Sequence, residues 1–500
     1  MLNLSDLGRF VPLSRSMKFS CLFIVCLFSP FAQASAIYNP PGANLTLGST
    51  NHNNGFSVLA NNPAATAIVP SDQRSRGVGV NIGGGLEYGN VDEIFAIIDT
   101  LSEMLAGDGG DLPETPPPQL PDEPVQLPTD LTWQDILDNN PEFNAWFEAV
   151  QDQATFFASS FAIISQQAYA KAFVTADVPF LISNDIWGGS LSATYSSEGT
   201  SKALGIVDLF NFDADYALSQ IDEARNLDPS APETSFDLSD DIVLIVNPGE
   251  ESVQLKFNND SLLLTKAVIT QNININYSRE AYSGENGTLL WGLRPKLYRV
   301  GLTQVDTRFG ELTDAESLFN DIRNADFHYA NRVSLDLGVL WASQHYRLGA
   351  TLLDPFSPEF SFPDFDPSRY SKSEVLTQLR QEMRYELKPQ LRMEGSLFSR
   401  NKRWSTHLQL DANAATDPMS DKYQWLVVST AYRNSNNWVP DLRFSYRKNL
   451  SGSNLGYFSS GITLFKIFNL DISRTAEMAT ISGDSLPRGL NLSLGLNFSF

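Results

Sequence analysis

Cysteine is almost absent from this chain. Among 500 residues only Cys21 and Cys26 occur, and both lie near the N-terminus. They fall within a segment that has the features of an export signal, so the mature chain is expected to contain no cysteine. This absence excludes disulfide bonds, thiol catalysis and cysteine-ligated metal sites in an exported protein.

Long apolar runs are also lacking. Residues 21–31 form an apolar run of roughly half the length that a spanning helix needs, and no later segment approaches a transmembrane helix. Basic residues precede this run, and Ala34-Ser35-Ala36 follows it as a small-x-small cleavage site. We therefore predict that residues 1–36 are a signal peptide rather than a membrane anchor, and that the mature chain begins near Ile37.

Positive charge is scarce. The chain has 35 Lys and Arg against 58 Asp and Glu, a formal net charge of −23, which makes nucleic acid a poor partner. Residues 77–170 contain no Lys or Arg and 16 Asp and Glu, and residues 113–128 include seven prolines. Residues 92–139 are therefore predicted to be an exposed acidic, proline-rich insert. A divalent-ion site is the alternative, but no D-x-D-x-D-G spacing supports it.

A helix is predicted after this insert. Asn140-Pro141-Glu142 combines a capping Asn, a Pro at the first helical position and an acidic first turn. Apolar residues then recur at spacings of three and four, and they include Phe157, Phe161 and Ile164. The region 140–185 is thus predicted to be an amphipathic helix region. Its apolar stripe either packs against the strands predicted for the rest of the chain, another helix or a membrane surface, or lines a path for a hydrophobic ligand.

Two-residue alternation dominates the rest of the chain. Residues 77–91 are predicted to form the first wall strand, and residues 186–500 a series of strands separated by turns. In residues 490–500 every even position is apolar and every odd position is small or polar. The pattern predicts an all-β fold, a transmembrane antiparallel barrel of about 14 strands, rather than a large soluble β-sandwich. Phe498 and Phe500 on the last strand are typical of a signal for barrel insertion.

Polar side chains alternate with apolar ones inside the candidate strands. Glu386, Lys388, Gln390, Arg392 and Glu394 would share one face of a strand, which is costly in a protein core but expected in an aqueous lumen. Aromatic residues at strand ends are typical of interfacial girdles. The candidates for these girdles are Trp291, Trp341, Trp404, Trp425 and Trp438.

Residues 37–76 precede the first strand and are rich in Asn, Gly, Ala and Ser, with little alternation. They are predicted to form an irregular, packed segment. No catalytic site, metal site or cofactor is expected: the four histidines are scattered, and the nucleophile-elbow and phosphate-loop motifs are missing.

One loop stands out by its aromatic content. Phe356, Phe360, Phe362 and Phe365 lie in a segment whose prolines keep it out of the wall. Exposed aromatics are costly unless they pack or bind something. The loop is therefore either folded over the barrel mouth or a surface that captures a hydrophobic ligand.

The chain resembles a known family at several places. Asn62-Pro63-Ala64 in the N-terminal segment, the strand count and the terminal aromatic are similar to the long-chain fatty-acid transporter (FadL-like) superfamily of outer-membrane barrels. The sequences at 292–300, 335–341 and 346–350, with an acidic loop between the first two, resemble the conjugal-transfer TraF-like branch.

This resemblance implies a barrel plugged by its N-terminus at Asn62, Pro63 and Ala64, in the bacterial outer membrane. It implies passive passage of small hydrophobic molecules, with outer-membrane lipid and the barrel-assembly machinery as partners. The TraF-like branch suggests the alternative, a non-transporting envelope protein with conjugation or envelope proteins as partners. A thioredoxin-related conjugation protein shares the TraF name, but a cysteine-free mature chain could not perform its redox role.

Overall fold

The computed structural model describes residues 40–52, 58–59, 61–68, 76–89, 169–208, 213–228, 230–248, 252–257, 259–308, 325–481 and 484–499. The predicted signal peptide, the proline-rich insert and the predicted helix up to residue 168 lie outside these ranges. Among the described residues, no helix is long and apolar enough to cross a membrane.

The described chain is mostly strand. In chain order the strands are β1 Gly77–Tyr88, β2 Tyr169–Ile186, β3 Gly189–Ile206, β4 Thr234–Asp237, β5 Ile242–Asn247, β6 Ser252–Phe257, β7 Leu262–Gly284, β8 Gly287–Arg308, β9 His328–Ala342, β10 Tyr346–Leu353, β11 Glu359–Ser361, β12 Arg384–Glu386, β13 Gln390–Phe398, β14 Trp404–Asp411, β15 Ala415–Thr416, β16 Lys422–Tyr423, β17 Trp425–Tyr432, β18 Asp441–Asn449, β19 Gly456–Leu464, β20 Phe468–Thr475, β21 Met478–Ile481, β22 Asp484–Pro487 and β23 Gly489–Ser499. The helices are α1 Asn44–Leu47, α2 Ala214–Arg225 and α3 Ser373–Glu382, with 3-10 turns at Pro63–Ile68 and Pro367–Arg369.

Fourteen strands form a closed antiparallel barrel in the order β1-β2-β3-β7-β8-β9-β10-β13-β14-β17-β18-β19-β20-β23. The first and last strands complete the ring, since Gly77 pairs with Ser499 and Glu87 with Gly489. The predicted fold class and strand count are confirmed. A closed ring leaves no unpaired strand edge, which a sheet in a bilayer requires.

The exterior of the barrel is apolar and its interior polar, the reverse of a soluble protein. On β23 the outward Leu490, Leu492, Leu494, Leu496 and Phe498 are 41–49% exposed, whereas the inward Asn491 and Ser493 are 3% and 1% exposed. Exposing such a belt to water would be costly, but lipid accommodates it. This pattern excludes the soluble β-sandwich.

The connections differ in length at the two ends. One end, here called the turn end, has connections at 187–188, 285–286, 343–345, 399–403, 433–440 and 465–467. The opposite loop end has connections at 89–168, 207–261, 309–327, 354–389, 412–424, 450–455 and 476–488. Barrels of the outer-membrane type have this asymmetry of short turns and long loops.

Three sequence predictions need correction. The first strand ends at Tyr88, not at residue 91. Residues 169–185 belong to wall strand β2, so the amphipathic helix region cannot reach 185 and the barrel does not begin at 186. Inward Phe173 and outward Ala176 obscure the alternation there. The strand predicted around residue 390 is interrupted: Glu386 lies in β12 and Lys388 in a loop, and β13 starts at Gln390.

An aromatic girdle lies at the turn end. Trp187 and Trp291 flank Tyr277 at ring distances of 6.5 and 5.9 Å, and Trp438 contacts Phe465 at 5.6 Å. Trp404 is 55% exposed in the same region. Trp425 does not belong to the girdle: it is 3% exposed, faces inward at the loop end, and lies under the guanidinium of Arg447 at 4.0 Å.

Deleting residues 490–500 should abolish the barrel, because β23 pairs with both β1 and β20 and its loss opens two strand edges. The measurement is heat-modifiability of the outer-membrane fraction on a detergent gel. The full chain and a Leu494→Ile control, which keeps the apolar face, should give a folded band that shifts on boiling. A folded band that persists after the deletion would contradict this closure.

Candidate functional site: the lumen and its plug

The N-terminal segment crosses the lumen. We call its described residues, 40–52, 58–59 and 61–68, the plug. Helix α1 packs against β17, β18, β19 and β20, whereas the 3-10 turn Pro63–Ile68 packs against β3, β7, β8 and β9 on the opposite side of the ring. The plug therefore spans the barrel from wall to wall.

Two wall glycines make room for the plug. Gly292 on β8 and Gly338 on β9 are directly paired and face inward. A Cβ at Gly292 would overlap the backbone of Pro63 and Ala64, and a Cβ at Gly338 would lie 2.8 Å from Pro63 Cδ. Any side chain at these positions would displace the turn. The two glycines thus form a notch that holds Asn62-Pro63-Ala64 against the wall.

Asn62 fixes the plug turn by hydrogen bonds. Its Nδ2 donates to the Val339 carbonyl at 3.0 Å and to Glu394 Oε1 at 2.9 Å, and its Oδ1 accepts from the Ala64 amide at 2.9 Å. The side chain is 1% exposed, so losing a partner would leave a polar group buried and unsatisfied. Glu394 also accepts a hydrogen bond from Asn51, so one wall carboxylate holds two parts of the plug.

Four wall arginines surround the plug. Arg294 donates to the Asn61 carbonyl, Arg347 lies 3.4 Å from the carbonyls of Asn51 and His52, and Arg392 donates to Ser49 Oγ at 2.9 Å. These planar donors suit fixed backbone acceptors better than a lysine would.

The fourth arginine acts through an ion pair. Arg443 pairs with Asp471 at 2.7 Å, both fully buried, and Asp471 accepts a hydrogen bond from Thr46 Oγ1 at 2.5 Å. Breaking such a buried pair is strongly unfavourable, since the remaining charge has no partner. The Thr46 hydroxyl of the plug thus provides, together with Arg443, the hydrogen bonds that the buried Asp471 carboxylate needs.

A polar cavity of about 110 Å³ lies beside the plug. Its lining includes Lys296, which contacts Asp336 at 2.7 Å and Asp354 at 3.2 Å. Burial raises the pKa of Asp354, which lies just beyond the end of β10. Most of the lining is charged or amide-bearing, so the described part of the lumen offers no continuous apolar path past the plug.

The structure brings together Asn62, Pro63 and Ala64 at the notch. It places Phe360 and Phe362, 2% and 3% exposed, in a buried cluster with Tyr298, Leu302 and Tyr385. Of the two alternatives for this loop, the burial of these two phenylalanines favours the one in which the loop folds over the barrel mouth. Phe356 is 62% exposed, and Phe365 packs against Tyr370 at 6.1 Å.

The remaining predicted site residues are not part of the plug site. Phe498 lies on the outer wall at 48% exposure. Phe157, Phe161, Ile164 and Phe500 lie outside the described residues. Sequence reasoning missed the wall arginines and the glycine notch as a site, although Gly292, Arg294, Gly338 and Arg347 all occur in the segments that carried the family resemblance.

His52 is buried within the plug. Its Nε2 lies 3.1 Å from Asn44 Oδ1, and its ring meets His407 edge-on at 6.2 Å. Burial, and then the positive potentials of His407, Arg443 and Arg347, lower the pKa of His52 well below its ordinary value. In a released plug this pKa returns to about 6.5. Docking is therefore independent of this group above about pH 6.5 and weakens as the pH falls below it.

Acidification should release the plug. We expect the conductance of purified protein in planar bilayers to rise from about pH 7.5 to about pH 5, across the ordinary histidine pKa. His52→Asn should reduce the rise in conductance without abolishing it, because His407 remains next to the plug. Replacing the exposed His328 by Asn should not change the rise. Equal wild-type conductance at both pH values would contradict this expectation.

Filling the notch should also release the plug. Gly338→Ala places a methyl group against Asn62 and Pro63, and overpacking of this kind costs about 1–3 kcal/mol, or a roughly 5- to 150-fold larger released fraction. Single-channel conductance measures the effect. Gly395→Ala is the matched control, because its Cβ would meet only Leu348 Cδ2 at 3.6 Å. A folded Gly338→Ala barrel as closed as wild type would show that the notch does not hold the plug.

Comparison with known proteins adds a family to this geometry. Among solved structures, the TodX deltaS2S3 mutant monoaromatic hydrocarbon channel is similar with 9% identity and a TM-score of 0.40, covering 92% of this chain and 98% of that chain. The Ralstonia pickettii toluene transporter TbuX has 8% identity and a TM-score of 0.36, with 93% and 98% covered. The Pseudomonas aeruginosa FadL homologue has 12% identity and a TM-score of 0.30, with 94% and 100% covered.

At these scores the three structures carry no argument about the function of this chain. No curated protein matches the sequence. The family model described as "F plasmid transfer operon, TraF, protein" matches residues 59–411, a stretch that contains the plug turn, both notch glycines and Glu394. Because that model covers most of its length, the chain belongs to this TraF family.

Proposed function

We propose that this protein is a gated outer-membrane channel, that the plug is its gate, and that it admits small hydrophobic molecules. The barrel wall itself encloses a lumen, and the plug is what fills that lumen at mid-height. A plug held largely by hydrogen bonds and ion pairs at the wall has discrete contacts that can be exchanged for water when it moves.

The observation that carries the hydrophobic specificity is the inner lining at the loop end. There buried charged groups such as Lys171, Lys202 and Lys266 are interspersed with inward aromatic and aliphatic residues. The residues are Phe173 on β2, Ile206 on β3, Leu264 and Val268 on β7, Val300 and Leu302 on β8, Trp425 on β17 and Tyr457 on β19. A lumen serving polar solutes alone would have no need of these apolar side chains, since barrel interiors are usually polar.

Passage then requires the plug to move. In the closed state the apolar entrance is packed with loop residues such as Phe360 and Phe362, and the cavity below it is polar. A hydrophobic molecule would partition into the entrance by displacing those loop aromatics. It would cross the middle of the barrel only when the notch and the wall arginines release the plug. No energy source is needed for such diffusion.

A second function is favoured by the polar mid-lumen, which gives no apolar path through the described residues. In that case the protein would be a non-transporting envelope component that binds conjugation or envelope proteins. The loop end offers a surface for this: helix α2 is capped by Asp213 and exposes Tyr216 and Leu218 at 48% and 41%. The family description, which refers to a plasmid transfer operon, agrees with this alternative.

Uptake measurements separate the two functions. Cells lacking the gene are complemented with wild type, Gly338→Ala or Gly395→Ala and given a fluorescent fatty acid, with a radiolabelled pentose as polar control. We expect wild type and Gly395→Ala to raise fatty-acid uptake equally, and Gly338→Ala to raise it further because its plug is less firmly held.

The same strains are compared for plasmid transfer frequency. Folded barrels that leave fatty-acid uptake unchanged in every strain would overturn the transport proposal. A simultaneous loss of plasmid transfer in cells lacking the gene would then support the envelope function.

A further inference from the structure

A second notch, here called the outer notch, has a volume of about 360 Å³. It opens on the outer face of the barrel across β18, β19, β20 and β23. The strands are fully paired there: Phe444 opposes Ser460, which opposes Ile472. The notch is therefore a depression in the lipid-facing surface and not a gap in the wall. It exists because the small Ser460 side chain stands between two bulky neighbours.

A charged residue lies at the upper edge of this notch. Arg474 faces outward, is exposed, and is paired with Phe458 and Leu490 one outward row nearer the loop end than Ile472. Among the described residues it makes no hydrogen bond or ion pair. Arginine on the lipid face of a barrel is unfavourable at mid-bilayer, and the cost falls toward the interface. Its position calls for an anionic partner at the headgroup level.

Two further basic residues and an aromatic pair lie toward the loop end of the same part of the wall. Lys448 lies at the end of β18, two strands from β20, and pairs with Glu477 at 3.5 Å; Arg488 precedes β23 and donates to the Tyr88 carbonyl at 3.1 Å. The aromatic pair Tyr446 and Phe458, with ring centroids 5.1 Å apart, lies at the same level and is typical of a membrane interface.

We propose that the outer notch binds a phosphate-bearing anionic lipid. The Arg474 guanidinium would hold the phosphate, since this planar donor pairs with two phosphate oxygens. Phe444, Ile472 and Leu490 would line one acyl chain. The order of the groups fits a lipid in a bilayer, because the cation lies toward the loop end and the apolar floor lies deeper along the same strands. Ser460 leaves the space for the chain.

Native mass spectrometry of the purified full-length protein in dodecyl maltoside tests this site. The probes are dimyristoyl phosphatidylglycerol, which is anionic, and dimyristoyl phosphatidylcholine, which has the same chains and is zwitterionic. Arg474→Ala removes the cation, and Ser460→Leu fills the outer notch. Arg400→Ala removes an exposed arginine at the turn end, and Thr406→Leu adds the same side chain to an outward position on β14. Heat-modifiability verifies that each variant is folded.

We expect wild type to retain the anionic lipid preferentially. Arg474→Ala should lower its retention about fivefold, the effect of one cation near a membrane surface, without lowering that of the zwitterionic lipid. Ser460→Leu should lower the retention of both lipids, and the two controls should behave as wild type. Equal retention of the two lipids by wild type, or equal losses in Arg474→Ala and Arg400→Ala, would overturn the proposal and mark the notch as ordinary annular lipid contact.

Discussion

Closure of the backbone hydrogen-bond ring is the constraint on which the rest of this structure depends. Hydrocarbon offers no partner for an exposed amide or carbonyl, so every wall strand must pair on both sides. The pairing of β1 with β23 meets this requirement and brings residues almost the whole chain apart into register. Closure also creates an enclosed interior, and the identity of everything inside follows from how that interior is filled.

The interior is filled by opposite charges and by the plug. Half of each wall strand faces inward, and many of these positions carry Arg, Asp or Asn rather than the aliphatic residues of a soluble core. Such groups are stable in a closed space only when each finds a partner. The plug provides many of those partners through its backbone carbonyls and through side chains such as Thr46, Ser49 and Asn62. Plug and wall are therefore interdependent.

Sequence periodicity predicted the wall well but assigned some of its residues incorrectly. Alternation identified β23 and the strand count, because lipid selects apolar residues at every second position. It failed where an apolar residue faces inward and a small one outward, as on β2 with inward Phe173 and outward Ala176. It also failed at Trp425, because an inward aromatic near a strand end has the same sequence pattern as a girdle residue. The glycine notch at Gly292 and Gly338 was missed because a glycine in a strand does not reveal which part of the chain packs against it.

The sequence by itself determined that the chain is a barrel with an apolar exterior, a polar interior and an N-terminal segment unsuited to the wall, since these properties follow from residue order along single strands. Only the tertiary structure decided which residues meet. Gly292, Gly338 and Glu394 are distant from Asn62 in the chain, and they form its site because ring closure places β8, β9 and β13 around the same part of the lumen. Local patterns specify faces, whereas long-range pairing specifies neighbours.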